Sequence, residues 1–144
     1  MNKDFDYKEV PSTYLHCLQE QCPRSAECLR FQVTLHIDPD IPHFLVINPG
    51  YIAGKEEKCL YFRPDCKICF AVGITHIFDN IPHTKAVRLK NILYSHFGRS
   101  MYYRIRNKER FMKPDEQVFI RETFKKEGIQ EEPVFDKYIY QYNW

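Results

Sequence analysis

The sequence predicts an α+β protein, on three observations. Short apolar runs bounded by proline occur in the first half, as FLVIN at 44–48 does between Pro42 and Pro49. The second half shows helical spacing with Pro and Gly at the expected ends. All six cysteines lie before residue 70, whereas basic residues concentrate after residue 84. A small Cys-rich part with short strands, residues 1–80, is therefore expected ahead of a basic three-helix part with an aromatic tail, residues 81–144.

The elements follow in order. Residues 1–13 are polar and predict a loosely held arm. Residues 14–36 read as helical in pieces, interrupted at Pro23; Leu29, Val33 and His36 share one stripe, with Phe31 and Leu35 beside it. DPDIP (38–42) is a turn, and FLVIN a buried strand. Residues 49–58 read as a loop, and CLYF (59–62) as a short strand or turn. CKICFAVGITHIF (66–78) is apolar nearly throughout, either a core helix weakened by Gly73 or a pair of strands. DNIP (79–82) breaks the chain.

The helical part is more explicit. A helix is expected over 84–97, closed by Gly98. Ser100 is placed to cap a second over 101–108, where Met101 and Ile105 share a face. Pro114 suits the first position of a third, over 114–127, with Asp115 and Glu116 at its positive end and Lys125 and Lys126 at its negative end. Lys113 is a poor cap. In YIYQYNW the aromatics at 138, 140, 142 and 144 alternate, which fits a strand or a tail packed on the core.

Several function classes are set aside by pattern. No apolar run reaches the eighteen residues of a membrane span, and MNKDFDYKEVP lacks the apolar region of a secretory signal, so the expected location is the cytoplasm, with no membrane partner. The five glycines are scattered, and neither G-x-S-x-G nor H-E-x-x-H occurs. A non-catalytic protein is expected, with a redox role for thiols or an iron–sulfur centre as the enzyme-like alternative.

Cysteine spacing carries the next expectation. HCLQEQCPRSAECLR (16–30) places Cys17, Cys22 and Cys28 within twelve residues, and Cys59 follows thirty-one positions later. Four thiolates suit a closed tetrahedral zinc site, and also suit an iron–sulfur cluster. The expected metal ligands are Cys17, Cys22, Cys28 and Cys59, zinc ahead of iron–sulfur, with free thiols and no cofactor as the alternative. Cys66 and Cys69 form a C-x2-C pair in an apolar context and are expected to be packing residues. His16 and His36 are expected to be ordinary hydrogen-bonded histidines.

Charge is uneven. Residues 85–126 hold 12 Lys and Arg against 4 Asp and Glu, a balance of +8, while the remainder carries −6. Such a segment suits an anionic partner, nucleic acid first, or an acidic protein. FGRSMYYRIRNKERFMKPDEQ resembles helix-turn-helix domains of the phage-repressor kind: a glycine turn, Ser ahead of a short helix, an Arg-Ile-x-Asn run and a basic turn into another helix. The resemblance implies a recognition helix near 100–108 that presents Arg99, Ser100, Tyr103, Arg104 and Arg106 to bases of double-stranded DNA, with Lys108, Arg110 and Lys113 against phosphates. In a single-strand variant, Tyr94, Tyr102 and Tyr103 stack on bases. HCLQEQCPRSAECLR, CLYF, FGRSMYYR and DEQVFIRETF together resemble a small uncharacterised bacterial family over most of the chain, which implies no activity. The expected function is regulatory nucleic-acid binding beside a structural metal site.

Overall fold

A computed structural model describes residues 5–144 of the chain. It is mixed α and β, with five α-helices and two small two-stranded sheets among the described residues. The chain divides into two compact units.

The first unit takes the described residues up to Lys67 together with Tyr142–Trp144. Its sheet pairs Leu15–His16 (β1) in parallel with Leu45–Val46 (β2), Leu15 opposite Leu45. Parallel strands need a crossover, and the helix Leu29–Thr34 (α1) lies within it. Leu29 and Val33 project from α1 one turn apart, fully buried, into a cluster with Tyr14 and Tyr142. Phe5, Tyr7 and Val10 pack against the same cluster. The expectation of a loose arm therefore fails for residues 5–13: three apolar side chains hold the segment down, and Asp6 caps a 3-10 turn at Tyr7–Glu9. Residues 1–4 of that arm lie outside the described residues.

The stretch 49–58 is more ordered than expected. Asn48 accepts a hydrogen bond from the Gly50 backbone, Pro49 takes the first helical position, and Pro49–Ile52 (α2) results. A 3-10 turn at Glu56–Lys58 follows. CLYF is a turn, and its Tyr61 carbonyl receives Arg30 Nε at 2.8 Å. Arg30 also reaches the Leu15 carbonyl at 2.8 Å and lies over the Tyr14 ring, so this buried cation is spent on backbone acceptors and a π face.

The second unit, Ile68–Gln141, contains the basic helices. Lys67–Val72 (β3) is a strand, so the helical alternative for 66–78 is excluded. Gly73 turns the chain at φ 78°, and the rest of the segment is a series of turns. The alternating aromatics do form a strand, Lys137–Tyr142 (β4), paired with β3. Three helices follow the expected ranges closely: His83–Phe97 (α3), Arg99–Arg106 (α4) and Pro114–Lys126 (α5). Leu89 and Leu93 of α3, Ile105 of α4, and Ile120 and Phe124 of α5 meet in one core with Ala71 and Met112.

Two helix ends depart from expectation. Gly98, with φ 80°, closes α3 and opens α4 by itself, so Ser100 sits inside the helix and does not cap it. At α5 the cap is supplied from inside the helix: the Glu116 carboxylate accepts the Lys113 backbone N–H at 2.9 Å. Lys113 can therefore stand where Ser or Asp is usual.

Candidate functional site

In the first unit the path of the chain brings the four candidate cysteines to one cavity. Cys17 leaves β1 with its N–H bonded to the Arg30 carbonyl and its carbonyl accepting from Thr34 Oγ1. Cys22 lies in a turn closed by the Gln19 and Cys22 carbonyls. Cys28 precedes α1 and is bridged to Pro64. Cys59 follows the Glu56–Lys58 turn. The cavity holds about 20 Å³, with Phe31, Ile52 and Phe62 among its walls. Arg24 lines it too, its guanidinium 3.4 Å from the centre of the Phe62 ring.

The Cys17 thiol is buried, and burial pushes its pKa up. The Gln19 backbone N–H opposes that shift, while Cys28, Cys22 and Cys59 add to it as neighbouring negative charges. Among the described residues, no group of three or more His, Cys, Asp or Glu side chains is placed to hold a metal ion. All six cysteines are free.

Two histidines of this unit pack within the fold. His16 is 2% exposed, with Nδ1 between the Tyr14 and Leu45 carbonyls at 3.0 and 3.1 Å and Nε2 2.8 Å from the Tyr7 hydroxyl. Nδ1–H therefore donates to carbonyl oxygen and Nε2 accepts from Tyr7. Burial, more than the carbonyls oppose it, lowers the pKa of the ring. His36 lies beside the Phe5 ring. The packing role expected of Cys66 fails, because Cys66 is exposed in a bend ahead of β3. Cys69 is half-buried on that strand. The pair leads into a strand, whereas a thioredoxin-type pair opens a helix.

In the second unit the eight candidate binding residues separate into two groups. Arg99, Tyr103 and Arg106 recur at i, i+4 and i+7 and share a face of α4. Lys90 and Tyr94, one turn apart on α3, adjoin that face. The Tyr103 phenol is held below its usual range, first by a hydrogen bond with Tyr94 and then, against some burial, by Lys90, Arg99 and Arg106. Five side chains from two helices thus form one basic, tyrosine-centred patch. Ser100 is exposed at its edge, and Arg104 is exposed with Glu109 4.0 Å away.

Two of the other three are engaged in ion pairs. Arg110 makes a two-pronged pair with Glu116 at 2.6 and 3.2 Å, and its side chain is only 26% exposed. Lys108 is 3.4 Å from the Asp136 carboxylate and has a left-handed backbone, φ 65°. Lys113 is exposed at the head of α5. Tyr102 is buried and stacked on Tyr94 at 4.5 Å, which removes it from the base-stacking variant. Sequence reasoning overlooked Lys90, although its four-residue spacing from Tyr94 on an expected helix was the available signal.

The model of a family of unknown function, DUF6078, matches residues 1–144. The chain belongs to DUF6078. The match covers the cysteine cavity and the basic helices of this DUF6078 chain alike, and brings no activity with it. No curated protein and no solved structure matches significantly. No described helix is long and apolar enough to cross a membrane.

Proposed function

We propose that this DUF6078 protein binds nucleic acid without catalysis, through Lys90, Arg99 and Arg106 around Tyr94 and Tyr103. The observation that carries the reading is the placement of Arg99 and Arg106 on the face of α4 that bears Tyr103, whose ring meets Tyr94 of α3 with Lys90 beside it. Cations so grouped exchange condensed counterions for phosphate contact, and tyrosine hydroxyls add hydrogen bonds to phosphate or sugar.

Double-stranded DNA is the proposed partner, with α4 as the recognition helix of a helix-turn-helix-like corner. Arg106 is exposed on that face of α4, and a guanidinium matches the two acceptors of guanine in the major groove. The corner is tighter than usual, since only Gly98 separates α3 from α4 where three or four residues are common. Arg110 and Lys108 stabilise the fold in this reading, so the phosphate contacts come from Lys90 and Arg99 instead.

Fluorescence anisotropy with a random-sequence duplex tests the reading. Two phosphate contacts give a salt slope near −1.8, hence binding weaker by about 12-fold on going from 50 to 200 mM salt. Absence of binding at 50 mM salt, or binding indifferent to salt, would contradict it.

A further inference from the structure

We propose that Cys17, Cys22, Cys28 and Cys59 bind one zinc ion in a closed four-thiolate site, fastening the segment between β1 and α1 to the segment after α2. This site belongs to the first unit and is independent of the nucleic-acid reading.

The donor set is the first argument. Four cysteines separated by up to forty-two positions line one small cavity, and four thiolates satisfy the tetrahedral preference of zinc without water or a second donor type. Glu56 lines the cavity too, but its carboxylate accepts the Gly54 backbone N–H at 3.1 Å.

The space among the four thiols, about 20 Å³, is enough for a single ion. Among the described residues no three such donors are placed as a metal shell, so binding requires the four thiols to turn toward one another about their Cα–Cβ bonds.

The surroundings suit the bound state. The Gln19 N–H directed at the Cys17 sulfur is a donor of the kind that supports metal thiolates. Phe31, Ile52 and Phe62 make apolar walls, and Arg24 also lines the cavity, where zinc with four thiolates leaves two negative charges in excess.

The test uses the full chain, purified anaerobically and without chelator. Metal analysis should give about one zinc per chain and no stoichiometric iron. After removal of zinc, added Co²⁺ should produce the intense visible bands and thiolate charge transfer of a tetrahedral four-sulfur site. Cys66→Ser with Cys69→Ser should retain the metal, whereas Cys59→Ser should lose it. Should Cys59→Ser fail to fold, the wild-type cobalt spectrum still decides. Less than about half an equivalent of zinc with no such spectrum, a brown protein containing iron and sulfide, or metal lost from the Cys66→Ser, Cys69→Ser variant would overturn the proposal.

Discussion

Gly73 is where a single atom matters most in the second unit. Its φ of 78° is rare for side-chain-bearing residues, and an added Cβ would lie 2.2 Å from Asp136 Oδ2. That oxygen also receives the Thr75 hydroxyl and faces Lys108, while Oδ1 accepts the Thr75 N–H at 3.1 Å. Gly73→Ala should therefore cost about 2–4 kcal/mol in urea unfolding, by strain and overpacking together. Gly98→Ala has a similar φ of 80° but open space, and should cost less. Burial raises the Asp136 pKa, but the Thr75 hydrogen bond and the Lys108 ammonium outweigh it and leave it lowered. The unfolded chain thus binds this proton first. The associated stability is complete above the ordinary carboxylate pKa of about 3.9 and is lost as pH falls through the lower native value. His16, also lowered, acts in the same sense below about pH 6.5. Urea unfolding followed from pH 8 to pH 3 should show declining stability in both windows, and Asp136→Asn should flatten only the acidic one.

Among the elements, α5 shows how a sequence signal can be right for an incomplete reason. Pro114, the acidic first turn and the basic last turn locate the helix, yet its N-terminus depends on Glu116, which binds both the Lys113 N–H and Arg110. Glu116→Ala removes a cap and leaves a partly buried guanidinium unpaired. It should destabilise by about 1–3 kcal/mol in thermal or urea unfolding, and Glu116→Gln by less. The helices were legible because Pro, Gly and apolar spacing act locally. The strands were less so. β1 and β2 are two residues each, and α2 is one turn set by Asn48, all too short for periodicity to register. The choice between helix and strand for 66–78 was open because a fully apolar run has no period; pairing with β4, some seventy residues away, decides it.

On the scale of the whole molecule, the sequence separates a Cys-rich part from a basic one, and each unit carries one candidate site. That Cys17, Cys22, Cys28 and Cys59 line one cavity was suggested by the close spacing of the first three outside any apolar run, whereas Cys66 and Cys69 flank or enter an apolar strand. The composition of the basic patch was only partly legible. Arg99, Tyr103 and Arg106 follow from helical spacing on α4, but Arg110 and Lys108 look equally basic in sequence, and only tertiary placement of Glu116 and Asp136 occupies them. Net charge alone therefore cannot explain the proposed binding. The most direct measurement compares two charge reversals of equal size by duplex-DNA anisotropy. One is Arg99→Glu with Arg106→Glu, and the other is Lys125→Glu with Lys126→Glu, exposed at the far end of α5. The first should weaken binding by on the order of 50-fold at 0.1 M salt, and the second by only a few-fold. Equal losses from the two variants, or no loss from the first, would contradict the proposal that nucleic acid is bound at the tyrosine-centred face of α3 and α4.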